Sequence, residues 1–451
     1  MFHALPEYPE YQSAGGWISS VPSTWRWEPA RTLFAERKVT GFIEEKLLSV
    51  TIGRGVIPQS ALLSTTAKKD SSNLDKSKYK LVEPGDLVYN KMRAWQGASG
   101  RSRYRGIVSP AYIVMRPRAV LTDYMHHLMR TPMFASEAER WSYGITSDQW
   151  SLRPEHFKMI RFPVPPSGEQ AAIVRYLAHA NARIDMAVAA KRRLMVLLDE
   201  QADFRRASLL EGVGQEQRLA NVIWEGPTNG ISPEVSESGD LRSLSISVVR
   251  DGVVDVRASD IKYVERAQVR DVKKYALRAG DILLVRGNGN LKLVGRAARV
   301  VDDLPDQIYP DLLMRIRLRS GMDSRFIVAA LNSPTVREQI EAASRTAVGT
   351  YKLSGADVRG LRVPIPNLDA QREIVHELES IDADVARVAA RLTREVSLLK
   401  EFRTRLVADV VTGQVDVRAI AASLPDTPER DTDLDSMLDD EVENVLGESE
   451  E

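Results

Sequence analysis

Residues 160–174 of the chain read IRFPVPPSGEQAAIV, and a related segment, LRVPIPNLDAQREIV, occupies residues 361–375. The same separation of 201 positions relates Leu197–Glu200 to Leu398–Glu401. A further match, between Pro84–Val88 and Ala279–Leu283, is offset by 195 positions. A period near 200 residues is too long for a solenoid repeat, so we predict a tandem duplication of one two-part module.

The second part of each module is predicted to be a long helix. Prolines block a helix upstream of Ser167, and Ser167–Gln170 has the spacing of a capping box. A mostly apolar stripe that steps alternately by four and three residues then follows in both copies, which is typical of a coiled coil. The stripe comprises Ile173, Leu177, Ala180, Ile184, Ala187, Lys191, Leu194, Leu198 and Gln201 in the first copy, and Ile374, Leu378, Ile381, Val385, Val388, Leu392, Glu395, Leu399, Phe402 and Leu406 in the second. Such a helix needs a partner, and the other copy supplies one.

Each stripe contains one charged residue, Lys191 in the first copy and Glu395 in the second. If the helices run antiparallel with their ends aligned, these two residues face each other near the midpoint. A buried pair costs desolvation energy but can fix the register of a coiled coil. The alternative is that both side chains extend past the apolar seam into solvent. Lys191 and Glu395 are therefore the candidate register pair.

The first part of each module is predicted to be β-rich. Alternating and β-branched segments bounded by Gly and Pro indicate strands, and helices are expected near Thr122–Arg130 and Ser324–Asn332. The strand segments are Asp86–Asn90, Ile107–Met115, Asp281–Val285 and Leu312–Leu318. The predicted fold is α+β, with two β-rich domains separated by two long helices that pack as an antiparallel coiled coil. We expect β-rich domains at residues 1–162 and 214–363, helices at 163–213 and 364–420, and an acidic, disordered tail at 421–451.

The charge distribution hides a basic body. The 451 residues contain 62 Lys+Arg and 62 Asp+Glu, so the formal net charge is zero. Residues 424–451, however, hold twelve acids and one base, which leaves 61 bases and 50 acids in the other 423 residues. The tail is too polar to bury a core. The folding part therefore has the sign of charge that a nucleic-acid partner requires.

Composition and short motifs exclude several functional classes. The chain has no cysteine, which excludes disulfides, thiolate zinc sites and thiol nucleophiles. It has no long apolar run and no signal-peptide pattern at its start, so we expect a cytoplasmic protein without membrane contact. No P-loop, no Gly-x-Ser-x-Gly elbow and no adenine-methylation motif occurs, and the six histidines lack metal-ligand spacing. We predict no catalytic residue and no metal ligand in this chain.

Basic residues cluster beside both β-rich parts. Arg and Lys can bind guanine edges or neutralise phosphates, and Asn and Gln can bind adenine. The clusters are Lys91, Arg93, Arg101, Arg103, Arg105, Arg116 and Arg118, with Trp95 and Gln96 between them, and Arg278, Arg286, Lys292, Arg296 and Arg299, with Asn288 and Asn290. A solvated charged face is the alternative, and half-buried packing is favoured for Trp95 over base stacking. The glycine-rich segment Arg286–Asn290 is predicted to turn into a strand at Leu291–Val294 rather than to bind a nucleotide.

In the order of its motifs, the chain resembles the specificity subunits of type I restriction–modification systems. The resemblance covers most of the chain but not the tail after about Ala421. It is carried by Trp17, Val21–Trp25, Gly85–Gly97, Gly106–Tyr112, Gly144–Leu152, Gly280–Gly289 and Val348–Ser354, in duplicate and each time followed by the proline-rich and long-helix segments.

This resemblance implies that the β-rich domains are target-recognition domains, each reading one half of a bipartite DNA site. The helices would set the spacer between the half-sites, since half-site spacing is a geometric quantity, and would dock methyltransferase subunits. The implied partners are double-stranded DNA, two methyltransferase subunits that bring S-adenosylmethionine, and motor-nuclease subunits that use ATP and Mg, with no cofactor bound by this chain. Carried onto the matched loops, the DNA contacts fall on Lys91, Arg93, Gln96, Arg286, Asn288, Asn290 and Lys292.

Two other functions remain open from the sequence. One is an autonomous nuclease or methyltransferase, against which the missing motifs weigh. The other is a non-catalytic coiled-coil interaction protein whose basic faces only keep it in solution, without sequence-specific DNA binding.

Overall fold

The computed structural model of the chain describes residues 5–63, 75–144, 150–236, 239–347 and 350–428. The chain forms two compact units. Unit 1 combines Met1–Leu194 with Arg391–Glu451, and unit 2 is the continuous segment Met195–Ala390. The predicted tail lies outside the described residues from 429 onward.

Unit 1 is a set of small antiparallel sheets covered by helices. Its strands are β1 (Tyr11–Ser13), β2 (Ser20–Pro22), β3 (Arg26–Pro29), β4 (Phe34–Glu36), β5 (Leu48–Thr51), β6 (Gly55–Pro58), β7 (Lys80–Val82), β8 (Leu87–Asn90), β9 (Ser99–Arg101), β10 (Gly106–Val108), β11 (Tyr112–Pro117) and β12 (Arg161–Val164). Its helices are α1 (Ala30–Leu33), α2 (Gln59–Leu63), α3 (Thr122–Leu128), α4 (Pro132–Arg140), α5 (Pro154–Phe157) and the start of α6 (Ser167–Leu210). The main sheet has the order β4-β11-β8-β9, and β12 pairs with β3.

Unit 2 repeats this plan around a six-stranded sheet of order β14-β23-β19-β21-β17-β16. Its strands are β13 (Gln215–Arg218), β14 (Ile223–Asn229), β15 (Leu241–Leu244), β16 (Val249–Arg250), β17 (Val253–Val254), β18 (Ile261–Val264), β19 (Ile282–Val285), β20 (Gly287–Asn288), β21 (Ala297–Arg299), β22 (Gln307–Ile308), β23 (Leu313–Leu318), β24 (Arg345–Ala347), β25 (Thr350–Lys352) and β26 (Arg362–Ile365). Its helices are α7 (Ser324–Asn332), α8 (Pro334–Ala343), α9 (Gly355–Gly360) and the first part of α10 (Leu368–Val411).

The strand that follows the Gly-Asp dipeptide is buried on both faces in each unit. In β19, Ile282 and Leu284 face one core while Leu283 and Val285 face another. In β8, Leu87 and Tyr89 likewise face the main core, and Val88 faces a smaller one. Successive side chains of a strand point to opposite faces, so these short, continuously apolar runs fit central strands, and both predicted strands are confirmed.

The two long helices run antiparallel in each unit. In unit 1, Arg403 donates to Asp185, and residues 184 and 188 pack against Val396. In unit 2, Arg206 Nε lies 2.9 Å from the Asp382 carboxylate. The paired positions rise along α6 as they fall along α10. This confirms the predicted long helices and their antiparallel packing.

The stripe is correct for α10 but wrong at Leu194 and Gln201 in the second half of α6. Every predicted position of α10 is at least partly buried. In α6, however, Leu194 is 50% exposed and Gln201 is exposed, whereas the neighbouring Ala202 is buried. An α-helix has 3.6 residues per turn, so its buried face drifts from a strict seven-residue repeat. The drift is already visible at Val188, which is buried in place of the predicted Ala187.

The predicted capping box at the start of α6 is also wrong. Ser167 is already helical, and the Glu169 carboxylate accepts hydrogen bonds from the Tyr8 hydroxyl (2.5 Å) and Trp25 Nε1 (2.8 Å). The neighbouring Gln170 is the fixed point instead. Its Oε1 accepts from the backbone N–H of Leu121 (2.7 Å), and its Nε2 donates to the Pro165 carbonyl (2.8 Å).

Unit 2 contains the same glutamine clamp. Gln371 Oε1 accepts from the N–H of Asp323 (2.9 Å), and Gln371 Nε2 donates to the Pro366 carbonyl (2.9 Å). Leu121 and Asp323 are the residues directly before α3 and α7. The two clamps therefore align the copies residue by residue and support the predicted duplication at the level of individual hydrogen bonds.

The C-terminal end of α10 completes the core of unit 1. Val410, Val411 and Val417 are fully buried there, and the Tyr124 hydroxyl donates to the Val411 carbonyl (2.8 Å). Gly413 has a φ of +75° and lies so close to Pro22 that a Cβ would come within 2.5 Å of its ring, so only glycine fits this turn. A short helix, α11 (Arg418–Ser423), follows.

Candidate nucleic-acid interface

Lys91 and Arg286 occupy equivalent places in the two units. Each is the first residue after its central strand. The Lys91 N–H donates to Ala111 O (3.1 Å), and its carbonyl accepts from Leu152 N (2.8 Å). The Arg286 N–H donates to Leu312 O (2.7 Å), and its carbonyl accepts from Leu353 N (2.9 Å). Each unit thus fixes the backbone of one long basic residue between two neighbouring segments.

A buried aspartate anchors the turn before each central strand. Asp86 accepts from the Glu83 N–H and from Arg37 Nε, each at 2.8 Å. Its equivalent, Asp281, accepts from the Arg278 N–H at 3.0 Å and from Arg317 Nε at 2.9 Å. Both acids belong to the repeated segments Pro84–Val88 and Ala279–Leu283, but the repeat does not identify their arginine partners, of which Arg37 directly follows β4 and Arg317 lies in β23.

In unit 1, the loop between β8 and β9 presents polar side chains to solvent. Arg93 and Gln96 are exposed, and neither side chain has a hydrogen-bond or ion-pair partner among the described residues. Trp95 is half-buried, since its Nε1 donates to Met92 O (3.0 Å) and its ring meets Trp150 edge-on at 5.6 Å. Arg93 and Gln96 are thus accessible to a DNA edge, and the packing expected for Trp95 is confirmed.

Lys91 lines a groove of about 860 Å³. Lys38, Lys80 and Arg153 also line it, together with the acids Glu36 and Glu155. Lys80 Nζ donates to Tyr112 O (2.8 Å), and burial lowers the pKa of its amine from the ordinary value. The groove carries more basic than acidic groups beside the residue expected to contact DNA.

Two of the arginines in the unit 1 cluster are neutralised within the protein. Arg101 pairs with Asp123 at 2.7 Å, and Arg105 pairs with both Glu45 (2.7 Å) and Glu83 (3.0 Å). An arginine that is already paired with a carboxylate gains less binding free energy from contact with a phosphate. Arg103, Arg116 and Arg118 are exposed, with no ion pair among the described residues.

In unit 2 the four candidate residues lie on one turn. Arg286 donates a long hydrogen bond to Asp311 O (3.3 Å), while its buried Nε has no partner among the described residues. Asn288 Oδ1 accepts from the Asn290 N–H, and Asn290 Oδ1 accepts from the Lys292 N–H. The two amide oxygens therefore shape the turn, and the side chain of Lys292 is exposed.

The strand predicted at Leu291–Val294 is wrong. Leu291–Leu293 is a short 3₁₀ helix with Asn290 as its N-cap. Asparagine is a favoured N-cap because its side-chain oxygen can accept from a backbone N–H of the first turn. That preference outweighs the β-propensity of the mostly apolar segment Leu291–Val294.

Within the part of the chain that the structure describes, no helix is both long and apolar enough to cross a bilayer. Within the same residues, no group of three or more His, Asp or Glu side chains is arranged to hold a metal ion.

Known proteins are similar to this chain in sequence and in fold. No protein-family model matches the chain. The chain is 26% identical over 391 residues to the type I restriction enzyme EcoKI specificity subunit of Escherichia coli (strain K12), covering 77% of this chain and 82% of the relative. It is 21% identical over 422 residues to the StySPI specificity subunit of Salmonella potsdam, covering 89% of each.

Two solved structures show the same fold. A chain from a study of assembly and conformational transition of the type I R-M system superposes with a TM-score of 0.60 at 14% identity, over 88% of this chain and 99% of that one. The HsdS subunit from Thermoanaerobacter tengcongensis gives 0.51 at 15% identity, over 88% and 98%. In sequence and in fold, this chain is similar to the type I restriction specificity subunits.

The candidate register pair of the long helices lies in unit 1. Lys191 Nζ is 2.5 Å from Glu395 Oε2, and Arg391 Nε donates to Glu395 Oε1 (2.9 Å). The bonds from Lys191 and Arg391 lower the pKa of the Glu395 carboxyl below its ordinary value. Both members of the pair keep about 30% of their side chains exposed, 28% and 31%. The two residues therefore face each other as expected and also reach solvent, which combines the two alternatives; whether they set the register stays a prediction.

Proposed function

We propose that this chain is the DNA sequence-specificity subunit of a type I restriction–modification complex and performs no chemistry itself. Unit 1 and unit 2 each read one half of a bipartite DNA site. The long helices α6 and α10 set the spacer between the half-sites and dock the methyltransferase subunits. The domain boundaries expected from the sequence, 1–162 and 214–363 for the two target-recognition domains, belong to this proposal.

One observation carries the proposal. Each unit holds a long basic residue, Lys91 or Arg286, at the same position after a central strand and with the same backbone hydrogen bonds. Accessible polar side chains lie next to it in both units, Arg93 and Gln96 in one and Asn288 and Lys292 in the other. A duplicated scaffold with different side chains on one loop suits a protein that reads two different short sequences, because base edges are distinguished by the donors and acceptors they meet.

The chemistry is assigned to the partners. Two methyltransferase subunits bring S-adenosylmethionine for adenine methylation, and motor-nuclease subunits bring ATP and Mg for restriction. This division agrees with the sequence, which lacks the motifs of nucleotide binding and methylation. The names of the relatives favour it over a coiled-coil interaction protein without DNA specificity.

The experiment begins with the methylated adenines in the source genome, which identify both half-sites at once. Duplexes that carry this site are then methylated by the chain and its methyltransferase subunits. Randomising the spacer sequence should leave the rate unchanged, whereas adding or removing one base pair should abolish methylation. Methylation that tolerates a change in spacer length would refute the spacer role, and genomic methylation without a bipartite site would refute the whole proposal.

The loop contacts are tested separately in the two units. Arg93→Ala with Gln96→Ala should weaken recognition of one half-site only, and Arg286→Ala with Asn288→Ala that of the other. A mismatched base pair or a lost bidentate contact costs about 1–3 kcal/mol, which is roughly 5- to 150-fold in affinity. Equal loss on both half-sites would mean that these residues do not read bases.

A further inference from the structure

The glutamine clamps identify a charge difference between the two units. Leu121 and Asp323 are equivalent through Gln170 and Gln371, so Asp123, two residues after Leu121, corresponds to Arg325. The strand register aligns a second pair: Leu87 pairs with Arg101 as Ile282 pairs with Arg299. An acid facing an arginine in unit 1 is thus replaced by an arginine in unit 2.

As a consequence, one arginine of unit 2 lacks the carboxylate partner that its equivalent in unit 1 has. In unit 1, Arg101 and Asp123 form an ion pair at 2.7 Å. In unit 2, Arg325 turns to Asp323 (2.8 Å) and Glu379 (3.0 Å). Arg299 has no ion-pair partner among the described residues.

Two further cations accompany Arg299 along one edge. Lys292, Arg296 and Arg299 line the same cleft of about 960 Å³ in unit 2, and none of the three pairs with an acid among the described residues. Of the four acids of this cleft, Asp203 and Asp382 bind Arg206, and Glu379 binds Arg325. Asp251 is the fourth. Three of the four acids of the cleft are therefore already paired with other arginines of the same cleft.

Side chains of α7 and α8 hold the backbone that carries these cations. The half-buried guanidinium of Arg337 donates to the Val294 carbonyl and lies 3.4 Å from each of the Leu291 and Lys292 carbonyls. Asn332 exchanges two hydrogen bonds with the backbone of Ala297 (3.0 and 2.9 Å). The cations are thus presented on a rigid turn and strand, which reduces the entropy lost when a ligand binds.

The like charges also act on one another. Burial lowers the pKa of Arg337 from its ordinary value, the charge of Glu341 opposes this shift, and the nearby charge of Arg296 adds to it. Arg296 and Arg337 therefore repel each other at this edge of the cleft. A bound anion would relieve that repulsion, because the attraction between opposite charges replaces it.

We propose that Lys292, Arg296 and Arg299 form a phosphate-binding edge that holds the DNA backbone next to the bases read by unit 2. The proposal rests on the proposed function and refines it, since it assigns Lys292 to a phosphate rather than to a base. Unit 1 lacks the counterpart, because its equivalent arginine is neutralised by Asp123. At this edge, the binding of DNA phosphates is therefore more sensitive to salt in unit 2 than at the equivalent place in unit 1.

The test compares Arg296→Gln/Arg299→Gln with the matched control Arg101→Gln in the full-length chain, alone and with its methyltransferase subunits. Affinity for duplexes with and without the recognition site is measured by fluorescence anisotropy over a range of salt concentrations. The double variant should lose roughly tenfold in affinity at 0.1 M salt, by the same factor on both duplexes. The slope of log affinity against log salt should fall by about 1.8, which corresponds to two phosphates.

Arg101→Gln should leave the salt slope unchanged, because that arginine is already paired. Arg296→Lys/Arg299→Lys keeps the charge and should keep the slope, which separates loss of charge from loss of fold. An unchanged slope in the Gln double variant, or a loss confined to the duplex with the site, would overturn the proposal. The proposal would also be overturned if binding of inorganic phosphate depended on Arg296 and Arg299 while DNA binding did not depend on them. A wild-type complex that prefers no duplex at all would instead count against the proposed function.

Discussion

Replacing Gln170 with alanine is predicted to destabilise unit 1 specifically. Gln170 is 3% exposed, and its amide makes two short hydrogen bonds to backbone groups, the Leu121 N–H and the Pro165 carbonyl. Alanine leaves both groups without this partner, at about 1–3 kcal/mol for each. With the lost burial of the Cγ methylene, about 0.8 kcal/mol, the expected loss is about 3–7 kcal/mol. For a unit of this size that lowers the melting temperature by roughly 10 °C.

Tryptophan fluorescence is a suitable assay, because six of the seven tryptophans belong to unit 1. Thermal unfolding followed by fluorescence should move to lower temperature in Gln170→Ala, and hydrogen exchange at the Leu121 amide should accelerate. Gln371→Ala should accelerate exchange at the Asp323 amide and leave Leu121 protected. Gln201→Ala, which changes an exposed glutamine of the same helix, is the control. The reasoning is refuted if Gln170→Ala unfolds within 2 °C of that control or if Leu121 exchange stays unchanged.

Three other outcomes are expected. Between pH 7.5 and 5, unit 1 should lose up to about 2 kcal/mol for each of His126 and His127, because burial lowers their pKa values to about 3 and about 4 while the unfolded rings protonate near 6.5. The contribution of the two neutral histidines to stability is thus fully present above pH 6.5 and declines below it. Urea unfolding at both pH values should show a smaller loss of unfolding free energy in His126→Gln/His127→Gln. An equal loss in the variant would contradict this cause. Lys191→Glu should lower the melting temperature and the double swap with Glu395→Lys should restore it, whereas a double variant no better than the single one would reject the pairing. If the acidic tail competes with DNA for the basic faces, deleting residues 429–451, which hold eleven of the twelve tail acids, should tighten non-specific DNA binding at low salt. Unchanged affinity in anisotropy titrations would exclude this competition.

The sequence predicts those features that depend on local patterns. The periodicity of apolar residues predicts the two long helices, and the internal repeat relates the two Gly-Asp turns. The contact between Lys191 and Glu395 follows once the ends of the helices are assumed to be aligned. The stripe failed beyond Lys191 because a strict heptad is only an approximation to the 3.6-residue turn. The 3₁₀ helix after Asn290 was missed because a short apolar run outweighed a capping signal that was present.

Contacts between distant residues could not be predicted in the same way. The partner of Gln170 is 49 positions away, and no local pattern relates a helix glutamine to the backbone before another helix. The ion pair of Arg101 with Asp123 was likewise hidden in a count of basic residues, which treats paired and unpaired arginines alike. The difference between Arg101 and Arg299 emerges only when the two copies are aligned in three dimensions.

The discontinuity of unit 1 has a consequence for biosynthesis. Unit 2 is one uninterrupted segment that ends at Ala390, whereas the core of unit 1 includes Val410 and Val417. At about 5–20 residues per second, translation of the last 61 residues takes roughly 3–12 s. The half of the protein whose N-terminal part leaves the ribosome first is therefore the last to close its core. During that interval Trp25 and Leu177, which are buried in the finished protein, lack part of their covering, so a chain that is cut before Val410 would keep a complete second unit and an incomplete first unit.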